Sequence, residues 1–233
     1  MIHTLYLVGT PIGNLEDISP RALQVLGAVG LIASENPART QRLLARYDID
    51  TPMIRFTDAY NRKKETRMQA VLDALERADV ALVSEAGMPL LADPGYELVQ
   101  SVLAGGGPIE AVPGPSAASA ALSMSGLPLS PATFVGFAPR RSSARRELFR
   151  SYAGQGRTLV VYESPNRLLE TLVDARAELG NRPVSLSCEL TKLYEETWRG
   201  SLEEAIDHVR ASTARGEYVI VIGPEDAQYD QDR

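Results

Sequence analysis

The sequence predicts an α/β fold of two α/β domains in a chain of 233 residues. Two observations predict it. Short apolar or β-branched runs alternate with segments of helical periodicity from end to end, which is typical of mainly parallel sheets covered by helices. A proline-glycine turn at Val112-Pro113-Gly114-Pro115 also divides the chain into nearly equal halves. We therefore predict domains at residues 1–113 and 114–224 and a polar tail at 225–233.

The first half alternates predicted strands with predicted helices. The strands are Thr4–Val8, Leu31–Ala33, Met53–Phe56, Val80–Val83 and Ile109–Val112. The helices are Pro20–Leu26, Arg39–Tyr47, Arg62–Ala78 and a segment from Asp93 to Ala104. Ser19 before Pro20 is typical of an N-cap followed by proline in the first helical position.

The second half shows the same alternation without a repeat of the sequence. The strands are Ala132–Phe137, Thr158–Glu163, Val184–Glu189, Glu196–Arg199 and Tyr218–Ile222. The helices are Ser116–Ser125, Ser142–Tyr152, Arg167–Leu179 and Leu202–Thr213.

The composition excludes several classes of protein. Cys188 is the single cysteine, which excludes an internal disulfide and a zinc site built on several cysteines. We expect no bound metal. Apolar runs stay below the roughly 18 residues of a membrane span, and the start of the sequence lacks a signal-peptide pattern. We therefore expect a cytoplasmic protein.

Basic residues cluster locally despite a net charge of −6. One cluster is Arg140, Arg141, Arg145, Arg146 and Arg150; another is Arg62, Lys63 and Lys64. Such runs form either solvated helix surface or phosphate contacts, and composition leaves both possibilities open.

Loops that follow parallel strands are the usual ligand sites of an α/β sheet. After the first strand, Gly9-Thr10-Pro11 permits close backbone approach but matches neither a dinucleotide fingerprint nor a P-loop. After the fifth strand, Pro113-Gly114-Pro115-Ser116-Ala117 offers helix N–H groups that can hold a carboxylate. This segment does not match the serine elbow of a hydrolase.

The fourth strand leads into a long loop, Ser84–Gly95, that contains two carboxylates, two glycines and two prolines. Glu85 or Asp93 can contact a ribose hydroxyl or a cationic sulfonium group. The alternative is that Asp93 only caps the next helix, and we expect it to do so in any case. In the second half, Glu163, Arg167 and Lys192 also follow strands.

Six motifs in this order resemble the ribosomal RNA small subunit methyltransferase I family of the tetrapyrrole-methylase-like superfamily. They are Val8–Leu15, Ser84–Gly95, Pro113–Ala117, Tyr162–Pro165, Glu189–Lys192 and Arg215–Glu217. The resemblance implies the class III methyltransferase fold, with a mainly parallel first sheet, a mixed second sheet, and S-adenosylmethionine in the cleft between the domains. It also implies that a homodimer methylates the ribose 2′-hydroxyl of a cytidine in 16S ribosomal RNA.

The resemblance also assigns expected roles to residues. The cofactor-binding residues are Gly9, Thr10, Pro11, Glu85, Ala86, Gly87, Asp93, Pro113, Gly114, Ser116 and Ala117. The catalytic candidates are Glu35, Glu163 and Lys192, each of which can equally be an ion-pair partner. The expected RNA contacts are Arg39, Arg140, Arg141, Arg145, Arg146 and Arg167. We expect His3 and His208 to be structural, because both lie outside the motifs.

Two alternatives remain open from the sequence. One is methylation of a tetrapyrrole carbon, as elsewhere in the superfamily. The other is a cofactor- or RNA-binding protein without turnover. The second alternative rests on the stretch from Asn36 to Arg39, where the family usually has Asp-Thr-Arg-His.

Overall fold

The computed structural model describes residues 2–57 and 64–227. Two compact units are present, one ending at Ser116 and the other beginning at Ala117. The predicted start of the third helix at Arg62, its neighbour Lys63 and residues 228–233 of the predicted tail lie outside the described residues.

The first unit contains a parallel sheet with helices between its strands. Its elements are β1 (Leu5–Val8), α1 (Pro20–Ala28), β2 (Leu31–Ser34), α2 (Pro37–Arg46), β3 (Met53–Arg55), α3 (Lys64–Leu75), β4 (Val80–Val83), α4 (Tyr96–Ala104) and β5 (Ile109–Val112). The strand order is β3-β2-β4-β1-β5, and every pairing is parallel. The predicted parallel sheet is therefore confirmed.

Two apolar cores cover the two faces of this sheet. Leu26 of α1 and Leu44 of α2 belong to one core, whereas Leu75 of α3 and Leu98 of α4 belong to the other. The central strand β4 is fully buried because its successive side chains alternate between the cores.

Local sequence signals explain the starts of α1 and α2. Ser19 accepts a hydrogen bond from the Ala22 N–H at 3.1 Å, and Pro20 begins α1, as predicted. Asn36 plays the same part before Pro37, because its side chain accepts a hydrogen bond from the Arg39 N–H. The altered stretch from Asn36 to Arg39 is thus a well-capped helix start.

The expected start of the fourth helix was wrong. Helix α4 begins at Tyr96, and its N-cap is Gly95 at φ 129°, without a side-chain cap. Asp93 therefore does not cap the helix. A positive φ favours glycine at the cap, and the preceding residues form turns and bends, with Leu90 and Ala92 at φ 70° and 69°, instead of a first helical turn.

The second unit contains a mixed sheet. Its elements are α5 (Ala117–Met124), β6 (Ala132–Phe137), α6 (Ser142–Ser151), β7 (Thr158–Glu163), α7 (Pro165–Leu179), β8 (Pro183–Cys188), β9 (Glu196–Ser201), α8 (Leu202–Ala211) and β10 (Tyr218–Ile222). The order is β6-β7-β10-β8-β9, where β6 and β7 are parallel and the other pairs antiparallel. The predicted mixed sheet is confirmed.

Helices α6, α7 and α8 cover one face of this sheet around Leu159, Val161 and Ile220. Helix α5 lies on the other face. The Ala118 N–H in its first turn donates to the Tyr162 hydroxyl, and the Tyr162 side chain points away from the face that Val161 occupies, because successive residues of a strand alternate. Within residues 2–57 and 64–227, no helix is both long and apolar enough to span a membrane.

Candidate functional site

The candidate site lies at the edge of the first sheet where the neighbouring strands β1 and β4 end, and we call this edge the crevice. The chain after β1 runs to α1 on one face of the sheet, and the chain after β4 runs to α4 on the opposite face. Ligands of α/β sheets bind where the connections of neighbouring strands diverge in this way.

Three glycine-containing loops meet at this crevice. A Cβ atom on Gly9 would lie 2.6 Å from both the Cα and the N of Gly114, and one on Gly114 would lie 2.7 Å from the Gly9 carbonyl carbon. Thr10 and Gly87 exchange backbone hydrogen bonds of 2.9 and 3.0 Å. The loops after β1, β4 and β5 therefore touch backbone to backbone, as the sequence predicts for Gly9, Gly87 and Gly114.

Carboxylates border the same crevice. The Glu35 carboxylate accepts a hydrogen bond of 2.9 Å from the Glu85 N–H, and Arg39 forms an ion pair with Glu85. Burial raises the pKa of Glu85, but hydrogen bonds from Arg39 and Asn36 outweigh burial, so its pKa lies below the usual value. Arg39, an expected RNA contact, is thus partly neutralised by Glu85.

Asp93 is the most perturbed acid of the crevice. Burial, followed by the negative charges of Glu35 and Glu85, raises its pKa to about 7, although a hydrogen bond with Ser84 opposes the shift. Near neutral pH this side chain therefore exists in both protonation states. Ser84 is not among the site residues predicted from the sequence, although its position directly after β4 is a signal for a site residue.

A pocket of about 80 Å³ adjoins these carboxylates. Its lining is Thr10, Pro11, Ile12, Gly13, Leu15, Arg39, Thr40, Leu43, Ser84 and Glu85. This volume suits a small polar group and is too small for a whole nucleoside. Of the expected cofactor residues, Thr10, Pro11 and Glu85 line it.

The start of α5 is less open than expected. The Ala118 N–H, one of the groups proposed to hold a carboxylate, already donates to the Tyr162 hydroxyl at 3.1 Å. Ser116 ends the first compact unit, and Ala117 begins both the second unit and the helix.

Glu163 is not placed for proton transfer. Its side chain is 0% exposed, and its oxygens accept hydrogen bonds from Thr171 at 2.7 Å and from the Ser164 N–H at 2.8 Å. Arg167 lies 3.3 Å from the same carboxylate. The prediction of a catalytic Glu163 is therefore corrected, because the carboxylate is enclosed by donors and instead positions Arg167.

Lys192 is also unsuited to act as a base. Its Nζ lies 2.8 Å from carboxylate oxygens of Glu189 and Glu217. Burial lowers the pKa of Lys192, but the two carboxylates outweigh burial, so its pKa lies above the usual value. The amine stays protonated near neutral pH, and a catalytic role for Lys192 remains a prediction.

The predicted arginine cluster splits into buried and exposed members. The Arg145 side chain is 1% exposed and is held by Asp174 at 2.7 Å and by the carbonyl oxygens of Pro139 and Arg140. Arg145 therefore cannot reach a phosphate, and its expected RNA contact is corrected. Arg146 is exposed and pairs with Glu178, whereas Arg140 and Arg141 are exposed beside the strand end.

A second concavity lies at the carboxyl end of β6. It is a groove of about 730 Å³ lined by Phe137, Ala138, Pro139, Arg140, Glu163, Ser164, Arg167 and Glu170. Arg167 lies partly in this groove and also donates to the carbonyl oxygens of Ala138 and Pro139. Phe137 was missed as a site residue, because an aromatic residue in a strand is ordinarily core.

Among the residues that the structure describes, His, Cys, Asp and Glu side chains form no group of three that could hold a metal ion. His208 stacks on Trp198 with ring centroids 5.1 Å apart, which is a packing role. His3 lies 3.7 Å from Asp79.

Comparison with known proteins gives a consistent result. The model of the family Tetrapyrrole (Corrin/Porphyrin) Methylases matches residues 4–206. Ribosomal RNA small subunit methyltransferase I of Halalkalibacterium halodurans is 45% identical over 94% of this chain and 75% of the relative. The protein of the same name from Thermotoga maritima is 44% identical over 94% of this chain and 97% of the relative.

Solved structures of similar fold are more distant in sequence. Uroporphyrin-III C-methyltransferase from Thermus thermophilus, complexed with S-adenyl homocysteine, matches with a TM-score of 0.64 and 21% identity over 94% of this chain and 97% of that one. The methyltransferase CobJ matches with a TM-score of 0.71 and 16% identity over 98% and 96%. At these identities the structures bear on the fold alone.

Proposed function

Because the chain belongs to the ribosomal RNA small subunit methyltransferase I family of the tetrapyrrole methylases, we propose that it methylates RNA with S-adenosylmethionine as donor. The proposed acceptor is the ribose 2′-hydroxyl of a cytidine in 16S ribosomal RNA. The observation that carries the proposal is the backbone contact of the three glycine loops at the crevice. The names of the relatives support the acceptor.

The residues at the crevice fit the methyl donor. Glycine at positions 9 and 114 lets the two loops touch, because a Cβ atom on either would collide with the other loop. This contact brings the peptide groups of both loops to the sheet edge where the donor is proposed to bind. Acidic groups at the same edge suit its hydroxyl and ammonium groups. When bound, the donor would supply an electrophilic methyl group on a positively charged sulfur.

Charge considerations limit where the carboxylates act. The positive charge on the sulfonium disappears during methyl transfer, so a carboxylate beside the sulfur would stabilise the bound donor more than the transition state. Glu85 and Asp93 are therefore proposed to hold ribose hydroxyl or amino groups of the donor, away from the sulfur. A protonated Asp93 can donate a hydrogen bond, and an ionised one can only accept.

Positioning is proposed as the main catalytic contribution. Holding the 2′-oxygen about 3–3.5 Å from the methyl carbon and in line with the departing sulfur can supply about 7–11 kcal/mol, whereas a general base adds about 10²–10⁴-fold. With Glu163 enclosed and Lys192 protonated, Glu35 is the candidate base that remains. Its carboxylate is oriented by the Glu85 N–H.

The proposed partner is the small ribosomal subunit, which would place the protein in the cytoplasm. Assembly as a homodimer is also proposed, on the basis of the family resemblance. Leu193 and Tyr194, which are 87% and 79% exposed, offer apolar surface for such contacts. Sedimentation velocity would test the dimer directly.

A methylation assay tests the function. Purified protein and labelled S-adenosylmethionine are incubated with small ribosomal subunits or with a precorrin. Label in RNA is expected, and the Gly114→Ala variant is expected to lose donor binding measured by calorimetry. Label in the precorrin alone would favour the tetrapyrrole alternative, and donor binding without any transfer would favour a binding protein.

A cellular experiment identifies the nucleotide. Mass-spectrometric mapping of ribosomal RNA from cells lacking this protein is expected to show the loss of one 2′-O-methylated cytidine. Return of the methyl group with the wild-type gene, but not with a Gly114→Ala gene, is the matched control. An unchanged modification map would exclude the proposed acceptor.

A further inference from the structure

An aromatic cluster lies on the α5 face of the second sheet. The Tyr162 ring packs edge-on against Phe134 and Phe137, with centroid distances of 5.0 and 5.7 Å. Phe134 is 37% exposed and Phe137 is 58% exposed. Exposing two large aromatic rings to water is unfavourable, so such a surface indicates a binding site.

A bulge in β6 creates this surface. Residues 134 and 137 are three apart and would point to opposite faces of a regular strand. The register with β7 shifts between Phe134 and Gly136, and Gly136 has φ 72°. One extra residue is thereby accommodated, Val135 packs into the core on the far face, and Phe137 comes to the same face as Phe134.

The charged side chains near Phe137 that lack an ion-pair partner among the described residues are arginines. Arg140 lines the groove beside Phe137, and among the described residues no carboxylate pairs with Arg140 or Arg141. The two acids of the groove are already paired, Glu163 with Arg167 and Glu170 with Arg145.

Arg167 is held rigidly in the wall of the same groove. Its Nε is buried and lacks a hydrogen-bond partner among the described residues. Its Nη2 is held by the carbonyl oxygens of Ala138 and Pro139 and by Glu163, so the guanidinium is fixed in orientation. Arg167 is therefore a fixed cationic group in the wall of the groove that Phe137 also lines.

We propose that this groove is a single-stranded RNA subsite, in which a base stacks on the Phe137 ring and Arg140 contacts the adjacent phosphate. The inference rests on the proposed function for the identity of the polymer. Exposed aromatic rings next to arginines are the common means of binding unpaired nucleic acid, because every base has a π-face and every nucleotide a phosphate. Charge complementarity favours RNA over an apolar protein partner, because an apolar surface offers no negative charge to the arginines.

Substitutions at one position separate stacking from simple apolar contact. Phe137→Ala removes the ring, Phe137→Leu keeps apolar area without a π-face, and Phe137→Trp enlarges the π-face. Binding of an unstructured, cytidine-containing RNA decamer is measured by fluorescence anisotropy. We expect about tenfold or greater weakening with Ala and with Leu, and unchanged or tighter binding with Trp.

The Trp variant also reports stacking directly. In a Trp198→Phe background, the indole at position 137 is the single tryptophan, and its emission is expected to be quenched when the RNA binds. Arg140→Ser is expected to reduce the slope of log affinity against log salt by about 0.7, whereas Phe137→Ala leaves that slope unchanged. Circular dichroism confirms that each variant is folded.

The outcomes separate this inference from the proposed function. Quenching of the indole by RNA without methylation of any RNA would refute the function and keep the subsite. If the wild type methylates RNA but Phe137→Ala and Phe137→Leu bind the RNA as tightly as the wild type does, the subsite is overturned. Loss of self-association in Phe137→Ala with unchanged RNA binding would also overturn it and identify the surface as a protein interface.

Discussion

Replacing Gly9 by alanine tests the loop contact on which the crevice depends. The new Cβ would lie 2.6 Å from two backbone atoms of Gly114, whereas carbon atoms rest about 3.5–4.0 Å apart. The loops must therefore separate by about 1 Å, which strains the hydrogen bond from the Gly9 N–H to the Val112 carbonyl oxygen, now 3.0 Å. Overpacking costs about 1–3 kcal/mol and a lost hydrogen bond about 1 kcal/mol more.

A fall of about 3 kcal/mol corresponds to a melting temperature lower by about 10 °C in a chain of this size, measured by circular dichroism. Gly27→Ala is the matched control, since Gly27 is exposed within α1 and the structure describes nothing within 4 Å of an added Cβ. Alanine there is expected to stabilise the protein by about 0.5–1 kcal/mol. If Gly9→Ala melts within a degree of the wild type, the two loops are not in contact and the reasoning fails.

Three further substitutions are expected to change the free energy of unfolding in a stated direction, each measured by urea unfolding. The pKa of Asp93 is raised from 3.8 to about 7 in the folded state, so stability falls as pH rises through that window. Asp93→Asn removes this pH dependence. The pKa shift limits the gain in stability to about 4 kcal/mol, and solvent screening reduces it to about 2 kcal/mol at pH 8, with no gain at pH 3. Equal gains at both pH values would contradict this reasoning. Asp174→Asn removes the buried carboxylate 2.7 Å from Arg145 and leaves only the exposed Glu170 at 3.6 Å, so a loss of about 3 kcal/mol is expected. A loss below about 1 kcal/mol would mean that Arg145 is solvated. Ser201→Ala removes half of the capping box with Glu204 and is expected to lose about 1 kcal/mol, whereas Ser201→Gly should lose only a few tenths.

The sequence predicted most of the fold because its signals are local. Apolar runs such as Val80–Val83 and Tyr218–Ile222 are buried strands, and Ser19-Pro20 begins a helix as its residue types indicate. The positions of Gly9 and Gly114 were also predictable, because loops at the carboxyl ends of neighbouring parallel strands must lie at one edge of the sheet.

Side-chain roles were harder to predict because partners come from distant parts of the chain. Arg145 is buried by Asp174, which lies 29 residues away, and Lys192 is held protonated by Glu217, 25 residues away. The direction of Phe137 depends on one bulge, which shifts every later residue of the strand to the opposite face.

The pair of hydrogen bonds between Thr10 and Gly87 joins two loops through main-chain atoms alone. Side chains along the loop after β4 can therefore be exchanged without loss of the link that sets the loop's course. Glu85 and Met88 lie in that loop. A loop whose course is set by its own peptide groups can carry different side chains at its surface while the path of the chain stays the same.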